Sequence, residues 1–198
     1  MEGQGESLPQ LAVGGSIETP TRQKNRKAWR YAIIPAILLF GAVWVVNYLM
    51  IGQPISEKLS SDPRNSGYSI SAHFQYYVDP SILVLDLRSV SAAAPLDLLR
   101  GVFESAETMS LSGHQFSRVV LERSGSPIFF LSGADFVTLG REYAGGQNPV
   151  YLIRTLPEKL YTMSGRSAFG RWEGGLIGVL GKQMEDVAQA AREWAESH

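Results

Sequence analysis

The sequence predicts a single N-terminal transmembrane helix followed by one α/β domain with a long C-terminal helix, or an α+β domain if its first hairpin dominates. Three observations lead there. Residues 31–51, YAIIPAILLFGAVWVVNYLMI, contain no Asp, Glu, Lys, Arg or His. After them, short apolar or alternating runs bounded by Gly and Pro are interleaved with segments of helical periodicity. The last segment places Ile177, Leu180, Met184, Val187, Ala191 and Trp194 three or four residues apart, the apolar stripe of a long helix.

The N-terminal end comes first. Residues 1–20 are rich in Gly, Ser, Glu, Gln and Pro, with too little apolar surface to offset chain entropy. Residues 1–30 are therefore predicted to be a disordered tail ending in a basic flank of Arg22, Lys24, Arg26, Lys27 and Arg30. At 1.5 Å per residue, a helix over 31–51 is about 30 Å long, enough to cross the hydrocarbon core. Basic flanks stay on the cytoplasmic side, so the tail is expected inside and the bulk of the chain outside. The same flank has the chemistry to touch anionic lipid. Trp29, Tyr31, Trp44 and Tyr48 lie near the ends of the run, where aromatic rings favour the headgroup region. Pro35 falls in the first turn, and Asn47 is close enough to the outer end to reach the interface. A cleaved signal peptide would have a shorter apolar core and a small-residue cleavage site. Here GQPISEK follows, so the segment reads as an uncleaved signal anchor. The expected setting is a bacterial inner membrane, with the domain facing the periplasm. The absence of Cys excludes a lipid-modified cysteine anchor and a disulfide scaffold.

Residues 52–67, with Pro54, Pro63 and several serines, read as a linker to a domain over 68–198. Residues 68–78 alternate: Ile70, Ala72, Phe74, Tyr76 and Val78 share one face, and Ser71, His73, Gln75 and Tyr77 the other, as in a half-buried strand. Asp79-Pro80-Ser81 signals a turn, and 82–87, ILVLDL, a more buried strand. Pro95 suits a helix first turn, and Leu96, Leu99, Val102, Phe103 and Ala106 continue it to about residue 109. Strands are expected at 116–122 and 128–131, and helices at 134–143 and from Asn148-Pro149 to about Leu156. Residues 162–175 read as irregular. A strand, helix and strand in succession imply a right-handed crossover and a parallel pair.

Composition narrows function more by exclusion than by assignment. The formal net charge is -1, so no global basic field points to nucleic acid. His73, His114 and His198 are the only histidines, and no H-x-H or H-x-x-x-H spacing occurs. Each reads as an exposed polar residue, and with no Cys either, the sequence predicts no metal site and no cofactor. No nucleophile elbow, Walker loop or dinucleotide fingerprint is present. Gly174 and Gly178 match a small-residue packing spacing, on a stretch too short to span a bilayer.

One stretch resembles a known family. From Leu96, a helix is followed by SRVVLERSGSPIFFLSGADF, ending at Phe136. This resembles the crotonase (enoyl-CoA hydratase) pattern of helix, strand, Gly-containing turn and Phe-x-x-Gly-Ala-Asp, here 130–135. The resemblance implies a ligand site at Ser132, Gly133 and Asp135, with the Ser132 N–H holding a thioester oxyanion. The family's later glycine-triplet region has no clean counterpart among Gly165, Gly170 and Gly174, and Glu173 is the nearby carboxylate of that loop. With no complete catalytic set, the sequence predicts a scaffold or interaction subunit of a membrane or envelope complex. It would be held by the bilayer through 31–51 and would have protein partners. The alternative is a membrane-tethered acyl-thioester-binding domain or enzyme of crotonase-like ancestry. The C-terminal stripe is expected to pack on the domain's own sheet or, alternatively, to present a partner interface.

Overall fold

The structure, a computed structural model, describes residues 26–172 and 176–196, with 26–32 and 176–177 described by backbone alone. Residues 1–25, with Arg22 and Lys24 of the basic flank, and Glu173, Gly174 and His198 lie outside the described residues, whereas Arg26, Lys27 and Arg30, expected to end a disordered tail, lie in the first turns of a helix. The chain divides into two compact units, Met1–Ile37 and Leu38–His198. Of the first, the described part is the opening of helix α1, Arg26–Asn47, with Ile34 and Ile37 exposed.

In the second unit, α1 passes through a π-helical turn, Tyr48–Gly52, into α2, Gln53–Ser61. Pro54 accounts for the π turn. It has no N–H for the carbonyl four residues back, and its ring crowds that carbonyl, so the wider turn just before it relieves both. The Gln53 N–H reaches back to the Tyr48 carbonyl, five residues away, as a π turn requires. Helical structure over Ile33–Ser61, 29 residues, is long and apolar enough to cross a membrane, and only 6% of its most apolar window is buried. The linker expected at 52–67 is therefore replaced by helix. Ile51, Ile55 and Leu59, spaced four apart, all enter the core, and a 3₁₀ turn, Pro63–Gly67, leads on to the sheet.

The domain is α/β around one mixed five-stranded sheet in the order β1-β2-β3-β4-β5. β1, Tyr68–Gln75, pairs antiparallel with β2, Asp79–Val90. Helix α3, Pro95–Leu111, crosses over to β3, Arg118–Arg123, which lies parallel to β2 as expected from the strand–helix–strand order. β4, Ser126–Ser132, returns antiparallel to β3 and leads into α4, Gly133–Ala144. Helix α5, Pro149–Thr155, a 3₁₀ turn at Pro157–Lys159, and the two-residue β5, Tyr161–Thr162, follow; α6, Leu176–Glu196, closes the described chain.

The first strand ends three residues earlier than alternation suggests. Tyr76 and Tyr77 take the left-handed conformation (φ 52° and 63°), which reverses the chain and leaves Tyr76 79% and Val78 65% exposed. The core lies between one sheet face and helices α2 to α6. Ile70, Ala72 and Phe74 of β1, Leu83, Leu85 and Leu87 of β2, Val119 and Leu121 of β3, and Phe129 and Leu131 of β4 all point into it. α3 and α4 touch closely enough that a Cβ on Gly140 would stand 2.2 Å from the Ala106 carbonyl oxygen. α6 is clipped to the sheet end. The Trp194 Nε1–H donates to the Glu122 carbonyl at 2.7 Å, and the Arg123 Nε–H donates to the Ala195 carbonyl at 2.8 Å.

Candidate functional site

The opposite sheet face carries the chemistry. Strict alternation places His73 on β1, Asp86 on β2 and Glu122 on β3 away from the helices, and Asp86 and Glu122 are register partners in the parallel pair. A ring nitrogen of His73 and one carboxylate oxygen each from Asp86 and Glu122 lie within 4.8 Å of one another. Asp86 is 0% exposed, and neither carboxylate oxygen has a hydrogen-bond partner among the described residues. The Arg88 guanidinium approaches Oδ2 to 2.9 Å from the solvent side, an ion pair without hydrogen-bond alignment. Burial, and then the Asp86 charge, push the Glu122 carboxyl above the ordinary carboxylate range.

His73 is buried, not the exposed polar residue its strand face suggested. Its ring stacks on Tyr77 at 4.5 Å between centroids, and Nδ1 lies 2.9 Å from the Phe74 carbonyl oxygen. A carbonyl only accepts, so Nδ1 carries the proton and the lone pair of the neutral ring is on Nε2. His73 and Tyr77 also wall a cavity of about 340 Å³ between β1 and the helix around Asn47 and Gly52. The sequence rule that missed this cluster searches for ligands spaced along one element. The three residues here lie on three strands and meet only through sheet pairing. The available signal was Asp86, an acid set in the apolar run ILVLDL.

Ser132, Gly133 and Asp135 do come together, as the strand-to-helix cap of α4. The Ser132 hydroxyl accepts the Asp135 N–H at 3.0 Å and donates to Asp135 Oδ2 at 2.6 Å, while Lys159 Nζ donates to Oδ1 at 2.9 Å. Burial raises the Asp135 carboxyl, but the Ser132 hydroxyl and the Lys159 ammonium outweigh it, and the net shift is downward. The Gly133 N–H donates to the Ser117 carbonyl at 3.1 Å. A Cβ on Gly133 would fall 1.6 Å from the Phe116 carbonyl oxygen, so main chain fills the space beside it. Of the C-terminal stripe, Val187, Ala191 and Trp194 belong to the domain's own core and Met184 packs against it, whereas Leu180 is exposed. The three core residues are therefore unavailable as a partner interface, and the side chain of Ile177 lies outside the described residues.

A second polar cluster ties α2 to α3. The Asn65 Nδ2–H₂ donates to the Leu59 carbonyl at 2.9 Å and to Glu104 Oε2 at 2.7 Å, and Asn65 Oδ1 accepts from the Tyr68 hydroxyl and from Arg100. Lys58 pairs with Glu107 at 2.8 Å. Burial raises Glu104 above the usual carboxylate range, and the Asn65 bond opposes that shift. Buried polar groups satisfied in this way fix a single geometry.

Compared with protein-family models, curated proteins and solved structures, the chain matches none. The class rests on architecture: a mixed-sheet α/β domain carrying, near its N-terminus, one helix long and apolar enough to span a membrane.

Proposed function

We propose that this protein is a single-pass membrane subunit. Its N-terminus lies in the cytoplasm, and its α/β domain lies outside and serves as a scaffold or interaction module of an envelope complex. The observation that carries this reading is the change along one helix. From Leu38 to Met50 large apolar side chains are exposed, including Leu38, Leu39, Phe40, Val45, Val46 and Leu49. From Ile51 onward the inward-facing residues enter the domain core. Exposed apolar surface of this extent calls for a nonaqueous neighbour. Cleavage at the outer end of the apolar run would remove Ile51 from the core, which favours an anchor over a signal peptide. The basic flank favours the cytoplasmic N-terminus.

The β1–β2 tip adds a second membrane contact. The Asn47 Nδ2–H₂ donates to the Tyr77 carbonyl at 3.3 Å, so the tip sits against the helix about 6 Å before the apolar run ends. The exposed Tyr76 and Val78 then fall at headgroup depth, where an aromatic ring and an apolar side chain are favoured. A helix that enters the core without a linker, and is braced at Asn47 and Asn65, holds the domain in one attitude at the membrane surface. Such a mount suits a subunit that must present a fixed face to partners.

Extraction of the full chain from its own membrane, with crosslinking, tests this. A defined heteromeric assembly is expected, and a lone monomer with no crosslinked partner contradicts the scaffold role. An environment-sensitive fluorophore on Val78→Cys in vesicles is expected to emit at shorter wavelength than one on Leu111→Cys. Equal emission removes the second contact.

A further inference from the structure

We propose that His73, Asp86 and Glu122 bind a divalent transition-metal ion of the zinc type on the outer face of the sheet. The inference does not rest on the membrane reading. The donor set is one imidazole nitrogen and two carboxylates. An imidazole favours zinc-type ions over magnesium or calcium, and the absence of thiolates disfavours copper(I). Three protein ligands leave a fourth position open for water, the arrangement of reactive rather than purely structural zinc sites.

Two observations besides the cluster point to a cation. Asp86 is fully buried with an Oδ1 that no donor reaches, and a buried carboxylate is costly without compensating charge or hydrogen bonds. Arg88 pairs with Oδ2 alone, and one carboxylate oxygen of Asp86 lies within 4.8 Å of a His73 ring nitrogen and a Glu122 oxygen. Independently, His73 is oriented as metal-bound histidines are: one ring N–H donates to a main-chain carbonyl, which leaves the other nitrogen's lone pair available. Bonds of about 2.1 Å to a tetrahedral ion put ligand atoms about 3.4 Å apart. Against the present 4.8 Å limit, the side chains need to close by at most about 1.4 Å, and the partly exposed Glu122 has room to move. The backbone positions come from three neighbouring strands, the rigid support such a site needs.

The test uses the full-length protein in detergent, without an oligohistidine tag, stripped with chelator and titrated with Zn²⁺ by calorimetry and with Co²⁺ by visible absorption. One saturable equivalent is expected, with the strong visible bands of four-coordinate Co²⁺ and a higher Tm in Zn²⁺. His73→Ala and Glu122→Gln are each expected to weaken binding at least tenfold, and His114→Ala to leave it unchanged. Circular dichroism checks that each variant is folded, and Glu122→Gln, isosteric and partly exposed, covers the case in which His73→Ala unfolds. Absence of saturable binding to the wild type overturns the proposal, and so does binding that Glu122→Gln leaves intact. In either case Asp86 is a structural partner of Arg88 alone.

Discussion

Residues 38–50 and 51–61 are successive stretches of helical chain with opposite surroundings. The first exposes Leu, Phe, Val and Trp side chains over most of its circumference, with Asn47 buried against the β1–β2 tip, and the second buries Ile51, Ile55 and Leu59 on one side while Glu57 and Ser60 face water. Hydrophobicity alone does not separate the two, because both contain apolar residues. What separates them is periodicity. A helix apolar on all sides needs an apolar solvent, whereas one with a stripe four residues apart needs a folded partner. The π turn Tyr48–Gly52, just before Pro54, stands at the changeover.

The sharpest way to break this comparison is to place the same charge in each stretch. Ile55→Asp is expected to cost about 4 kcal/mol or more, and the full chain in detergent should lose its cooperative urea transition. Leu39→Asp is expected to leave that transition unchanged and to impair membrane integration instead, by about 3 kcal/mol at the helix centre. A similar loss of fold stability from both would mean that residues 38–50 pack on protein.

The comparison also shows how much of the fold was legible in the sequence. The long apolar N-terminal helix, α3 from Pro95 onward and the parallel β2–β3 pair were readable, because apolar periodicity and crossover handedness are local or nearly local signals. Residues 52–67 were not, since Pro54, Pro63 and the serines read as breakers. Pro54 instead lies inside continuous helical chain, where the π turn just before it, Tyr48–Gly52, takes up its missing N–H and its ring. The spacing of Ile51, Ile55 and Leu59 was the available clue. Tyr76 and Val78 kept the strand's alternation, but a left-handed turn at two tyrosines is not a turn that composition signals. His73, Asp86 and Glu122 are far apart in the chain, and only the sheet register brings them together.

Smaller effects sharpen the account of how the second stretch is held. Asn65→Ala removes the buried links from α2 to α3 and leaves Glu104 Oε2 and the Leu59 carbonyl without that donor. A loss of about 3 kcal/mol is expected by urea unfolding, with the Glu104 carboxyl shifted further upward in an NMR titration. Ser132→Ala deletes the α4 cap and is expected to cost about 1 kcal/mol, the ordinary magnitude for such a cap. A cost near zero would free Ser132 for a role other than capping. The smallest effect concerns Asp135 and Lys159. The folded-state pKa of Asp135 is lowered, so its contribution is present above the unfolded-state pKa and is lost as pH falls through the folded value. Lys159→Met should therefore show a deficit of less than about 1 kcal/mol at pH 7 that disappears in acid, as measured by urea unfolding across pH.

The most direct measurement is a single-cysteine scan of the full chain in its native membrane, using a membrane-impermeant maleimide. The protein has no cysteine of its own, so each introduced thiol reports alone. Cysteines replacing Leu39 and Phe40 are predicted to stay unlabelled, although both side chains are exposed in the fold. Those replacing Glu57 and Leu111 are predicted to react when the reagent is added from the extracytoplasmic side. Labelling of positions 39 and 40 as readily as 111 would contradict a membrane around the first stretch, and labelling of 57 and 111 from the cytoplasmic side alone would reverse the topology.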